Sequence, residues 1–139
     1  MEKFMNTPIE AEKPAVSDFV KKLELPESIN VLGTEYKLLF DTCDAPIIKD
    51  CFGVCCYPAR EIHMLDFSTD PEWSKETESV IYCQFSEALR HEIIHAFLIE
   101  SGLKQNSSAI EHWATNEEMI DWLAKQWPKV QAIFDQLHI

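Results

Sequence analysis

Residues 88–102 read Ala88-Leu89-Arg90-His91-Glu92-Ile93-Ile94-His95-Ala96-Phe97-Leu98-Ile99-Glu100-Ser101-Gly102. The run holds no proline, and its one glycine stands at the end, where a left-handed residue stops a helix. A helix from Lys75 or Glu76 to about Ser101 follows, with Gly102 just past it and Leu103 as the accompanying hydrophobic contact. On that helix His91 and His95 stand one turn apart on the same face. Ile93, Ile94, Ala96, Phe97, Leu98 and Ile99 make the segment apolar nearly all round, so burial is expected. Two imidazoles and a carboxylate are costly in such surroundings unless something pairs with them.

A metal ion would pair with them. His91-Glu92-Ile93-Ile94-His95 is a complete HExxH, in which both imidazoles reach one Zn²⁺ and the Glu acts as general base toward a water at the metal. A catalytic zinc usually takes three protein ligands and keeps one position open. The metzincin pattern would place its third His at position 101, which is Ser101. The remaining candidates are Glu111, His112, Glu117, Glu118 and Asp121. We select Glu117. It shares a helix face with Asp121 at i, i+4, so one carboxylate can bind the metal while the other accepts the N–H of a ligand His and sets its tautomer. Thr115-Asn116-Glu117-Glu118 also fits a capping box, with Thr115 as N-cap and Glu118 as its partner. Ser108-Ala109-Ile110-Glu111 fits one equally, so the helix can start at either place.

HExxH followed by Asn116-Glu117-x-x-x-Asp121 resembles the gluzincin metallopeptidases, whose second helix carries an NExxxD-type element. The chain looks like their minimal ImmA/IrrE-like and phage-type members, over roughly residues 29–127. The resemblance implies His91, His95 and Glu117 as zinc ligands, Glu92 as catalytic base and Asp121 behind a ligand His. It also implies cleavage of a peptide or protein, often a regulatory protein such as a repressor, and an edge strand that holds the extended substrate. The family's Ala-Asn-x-Phe-Ala stretch is here Met119-Ile120-Asp121-Trp122-Leu123-Ala124.

The 139 residues fit one domain, residues 14–139, behind a polar arm at 1–13 expected to be mobile. A formal charge of −12 argues against a nucleic-acid partner, which needs basic patches. No apolar run approaches a membrane span, and Met1 to Pro8 lack the basic start and apolar core of a signal peptide, which points to the cytoplasm. The five cysteines, Cys43, Cys51, Cys55, Cys56 and Cys83, then read as free thiols and small apolar filler.

Elsewhere Val16, Phe19, Val20 and Leu23 mark an amphipathic helix between Pro14 and Pro26. Ile29 to Phe40 alternates around Gly33-Thr34, as two short strands or one kinked strand. Cys51–Cys56 and Arg60–Leu65 read as an antiparallel hairpin turning at Tyr57-Pro58-Ala59. Gly53 in the first of these would let a backbone or substrate approach closely, or mark a bulge. His63 reads as a solvent-facing or satisfied strand His. Residues 66–74 form a turn-rich link and 104–108 a polar loop. The second zinc-site helix ends near Trp127, and Pro128 starts a last amphipathic helix that packs on the rest. The fold class is α+β: a small, mostly antiparallel sheet against the HExxH helix, a second helix with the Glu ligand, and flanking helices.

These readings converge on a zinc-dependent peptide-bond hydrolase with one Zn²⁺ per chain. A second donor for the oxyanion would be His112, with Tyr57, Arg60 and Tyr82 behind it, and Trp113 could wall the site. The alternative is a zinc-stabilised module, of phage or bacterial origin, that captures a protein without cutting it. An intact Glu92 counts against that, since capture needs no base.

Overall fold

The alternating stretch after Pro26 forms a hairpin in the computed structural model, which describes residues 16–106 and 113–138. Strand β1 (Ser28–Val31) pairs antiparallel with β2 (Thr34–Asp41). The two-residue turn takes positive φ at Leu32 (50°) and Gly33 (92°), the twist that joins two short strands rather than kinking one. Asn30 Oδ1 accepts the Gly33 N–H at 2.9 Å and holds the turn.

A second hairpin, β3 (Gly53–Cys56) and β4 (Glu61–Leu65), docks on the first through a parallel β2–β4 pairing. The order is β1-β2-β4-β3, so two of the three pairings are antiparallel and β3 is an edge. The parallel pair is possible because residues 42–60, with β3 among them, carry the chain back to the start of β4. Register decides what β3 offers. The Leu65 N–H donates to the Phe52 carbonyl at 2.9 Å, and the pairs Gly53↔Met64, Val54↔His63 and Cys55↔Ile62 continue without a bulge. In an antiparallel ladder bonded pairs alternate, so Val54 points its backbone groups at β4 while Gly53 and Cys55 point theirs at the open edge.

Helix α2 (Glu78–Glu100) lies across this sheet. Thr77 caps it, its hydroxyl accepting the Val80 N–H, and Gly102 follows it at φ 78°. Ile81, Phe85, Ala88, Glu92 and Ala96 are its buried residues, spaced as one helical stripe. The expected burial around the motif is therefore corrected: Phe97 is exposed and Ile93, Ile94, Leu98 and Ile99 are only half-buried, because the sheet covers only one face of the helix. The stripe meets Tyr36, Ile62, Met64 and Phe67, each fully buried. At its far end Glu100 accepts hydrogen bonds from Tyr36 Oη (2.7 Å) and Thr34 Oγ1 (2.9 Å), tying the helix to β2. His63 is buried and satisfied, with Asp41 Oδ2 2.7 Å from Nδ1 and Glu61 Oε2 3.1 Å from Nε2.

The flanking helices differ more from expectation. Helix α1 (Asp18–Lys22) is shorter than its apolar spacing suggests, capped by Ser17 and followed by Glu24 at φ 49°. Its Phe19 still reaches the core, edge-on to Phe67 and Phe85. A short helix, α3 (Leu103–Asn106), stands where a polar loop was expected. Two 3₁₀ turns, Phe67–Thr69 and Trp73–Lys75, make up most of the turn-rich link. The arm at 1–13 lies outside the described residues. Among the described residues no helix is long and apolar enough to cross a membrane.

Helix α4 (Glu117–Leu137) is one helix, not two, with Pro128 inside it. Proline has no N–H for the carbonyl four residues back, here Ala124, and so leaves it without its helical donor. Arg90 of α2 supplies one: its Nε donates to the Ala124 oxygen at 2.6 Å. That bond replaces the missing rung and fixes α4 against α2 one residue from His91. The C-terminal half does not pack on the rest as expected, for Ile133, Phe134 and Leu137 are exposed. Arg90→Met is expected to cost about 1–3 kcal/mol by orphaning the carbonyl. Adding Pro128→Ala, which restores an N–H, should recover most of that in urea unfolding. A double variant no more stable than Arg90→Met would refute the exchange of donors.

Candidate metal centre

The N-terminus of α4 brings the second half of the site to the first. Its N-cap is Asn116, whose Oδ1 accepts the Met119 N–H at 2.9 Å, and not Thr115. The shift of one residue makes Glu117 the first helical residue and Glu118 the second, both where the helix dipole favours a carboxylate. The Ser108 to Glu111 alternative lies outside the described residues, as do Glu111 and His112.

Glu117 and Asp121, one turn apart, face His91 and His95 across the α2–α4 contact. Glu117 Oε2 lies 3.1 Å from His91 Nε2, and Oε1 lies 3.2 Å from His95 Nε2. The two Nε2 atoms are 3.0 Å apart. Asp121 Oδ1 lies 2.7 Å from His91 Nδ1, on the far side of the ring. With Nδ1 protonated to serve Asp121, His91 turns a lone pair from Nε2 toward His95 and Glu117. Three lone-pair donors converging like this repel one another unless a cation or a proton sits among them.

A tetrahedral ion with donors at about 2.0–2.1 Å has donor–donor edges of about 3.3 Å. The observed edges of 3.0, 3.1 and 3.2 Å match to within about 0.3 Å. His91, His95 and Glu117 could therefore hold a metal ion, and among the described residues they are the one group with such convergence. The donors are two imidazole nitrogens and a carboxylate oxygen. Burial pulls the His95 pKa below its ordinary value, partly opposed by Glu117, so His95 keeps its lone pair free.

Glu92 is the buried member of the site, 7% exposed on the sheet-facing stripe. Its Oε1 would lie 3.2 Å, and its Cγ only 2.7 Å, from a Cβ built on Gly53. Burial pushes its pKa up to about 7, against the opposing pull of His91 and of a hydrogen bond from the Cys55 N–H. Burial, with the Glu92 charge behind it, likewise raises the Cys51 thiol, and lifts Cys55 to about 12, so both stay protonated at neutral pH. All five cysteines are free thiols.

Around these groups runs a cleft of about 580 Å³, with Glu92 and the three donors on one wall and Gly53 to Cys55 of the open edge on another. Compared with known proteins, the chain matches no family model, no curated protein and no solved structure. The site's chemistry thus rests on its geometry. Of the oxyanion candidates, Tyr57, Arg60 and Tyr82 do not line the cleft. Tyr57 instead carries the Lys104 ammonium 4.0 Å above its ring. Trp113 begins a 3₁₀ turn, Trp113–Thr115, just before the cap. Two contributors escape a reading of the sequence. Arg90 borders the motif but has no pattern that points to Ala124. Cys55 acts through its backbone, which carries no residue signature.

Proposed function

We propose that the chain is a zinc-dependent peptide-bond hydrolase of the minimal gluzincin type. The observation that carries the reading is Glu92: a buried carboxylate, raised to about 7, on the wall of a cleft beside three converging donors. A structural site closes its fourth position and has no use for a base next to it. The two-nitrogen, one-oxygen donor set with near-tetrahedral edges favours zinc over calcium or magnesium, which take six or more oxygens.

His91, His95 and Glu117 would be the ligands, with Asp121 fixing the His91 tautomer. Zinc in that position supplies a Lewis acid for the scissile carbonyl and lowers the pKa of an attacking water. Glu92 takes the water's proton and returns it to the leaving amine, the part of a carboxylate beside the metal-bound water. The Gly53 N–H and carbonyl and the Cys55 carbonyl, which point to the open edge, can pair with an extended peptide as an added strand, its backbone lying along the cleft. The substrate class is then a protein or peptide segment in extended form, a regulatory protein included.

The test is hydrolysis of a mixed peptide library, read by mass spectrometry. Cleavage should require about one zinc per chain, vanish with a chelator and return with zinc. A protein that binds zinc tightly yet cleaves no peptide would instead support the non-catalytic capture module.

A further inference from the structure

We propose that Gly53 is a positioning residue for Glu92: the missing side chain on the edge strand is the space that the base occupies. The proposal deepens the hydrolase reading, but its structural half does not depend on it.

Glycine weakens a strand, so its presence at β3 needs a reason. Backbone conformation is not the reason, since the positive-φ glycines are Gly33 and Gly102. A bulge is not the reason either, because the β3–β4 register runs regularly through Gly53. Room is the reason. A Cβ at position 53 would stand 2.7 Å from Glu92 Cγ and 3.2 Å from its Oε1. The other close atom, Met64 Sδ at 3.0 Å, ends a flexible thioether that can swing away. Glu92 cannot yield as readily. Its helix is packed on the sheet by Ala88 and Ala96, 8% and 0% exposed, and Glu92 itself is only 7% exposed.

The strand therefore sets the base at Gly53, whose missing side chain leaves it a seat. A methyl at position 53 meets Glu92 first, with no atom of His91, His95 or Glu117 among its three nearest, and so drives the carboxylate along the cleft ahead of the three donors. The consequence falls on proton transfer rather than on substrate capture.

The experiment is a double-mutant cycle on the full chain, with Gly53→Ala in the wild type and in Glu92→Ala. In the wild type the methyl overpacks, and the thermal midpoint should drop by about 5 °C. In Glu92→Ala the seat is vacant, and the same substitution should leave the midpoint level or raise it. Equal losses in both backgrounds, or no loss in either, would overturn the proposal. On the zinc-loaded enzyme Gly53→Ala should lower kcat about a hundredfold with KM and zinc content held, the signature of a displaced base. A raised KM at unchanged kcat would make Gly53 a substrate contact and overturn the positioning role. Should the wild type cleave nothing, the hydrolase reading fails, and the unfolding cycle still decides who occupies the seat.

Discussion

Glu92→Gln is expected to reduce peptide hydrolysis by about 10²–10⁴-fold, the usual worth of a positioned general base, with zinc still bound at one per chain. The amide keeps the shape, and its oxygen can still accept the Cys55 N–H, so the loss would report proton transfer alone. The same substitution should stabilise the metal-free protein. Glu92 has its pKa raised from 4.5 to about 7 by burial. The folded state thus holds a proton that the unfolded chain gives up. Stability is fully present below pH 4.5 and is lost as pH rises through about 7, by up to about 3 kcal/mol above that. Glutamine has no proton to lose. Metal-free Glu92→Gln should therefore gain most at pH 8 and nothing at pH 4, read by urea unfolding at both. A variant that loses activity and loses stability at pH 8 would mark Glu92 as structural. A gain in stability with loss of turnover is what a strained functional group predicts.

The half of the site that lies on α2 was legible because one helix turn sets it: HExxH carries its own spacing, and no tertiary knowledge is needed to put His91 above His95. Glu117 was legible for a related reason, its i, i+4 relation to Asp121. The exact cap was not, since Thr115 and Asn116 are both good N-caps, and only the bond from Met119 N–H to Asn116 decides between them. Pro128 misled for a physical reason as well. Proline ends a helix when the carbonyl it orphans goes unpaired, and here Arg90, distant in sequence, pairs it. The sheet followed from alternation, which predicts the β3–β4 hairpin and leaves Ile29 to Phe40 as two strands or one kinked strand, a choice that the turn at Leu32-Gly33 decides. The parallel β2–β4 contact that joins them depends on how residues 42–60 return, which no local pattern records. Burial around the motif was overestimated because an apolar composition says how many faces can be covered, not how many neighbours exist to cover them.

Removing the metal should have the second large effect. Zinc at a hundred times its dissociation constant adds about 2.7 kcal/mol to the stability of a protein that binds it only when folded. The three residues that could hold the ion come from two helices, His91 and His95 on α2 and Glu117 on α4, so that free energy would act on the α2–α4 contact. Chelation should therefore lower the thermal midpoint by about 8 °C in a chain of this size and expose the α2–α4 amides to hydrogen exchange before those of the sheet. Glu117→Gln replaces a ligand with a weak one and should abolish most of the zinc-induced rise. Asp121→Asn leaves the three donors intact but weakens the acceptor that orients His91, so it should retain the rise at about 10- to 100-fold higher zinc. Acid should erode the rise too, because protons compete for both imidazoles. His95, whose pKa burial holds below the ordinary value, resists that competition. In the metal-free protein its depressed pKa contributes stability that is present above about pH 6.5 and lost as pH falls through the folded value. A zinc-induced rise that survives Glu117→Gln unchanged would move the third ligand elsewhere. No rise in the wild type would remove the metal from the site, and with it the hydrolytic role proposed for Glu92.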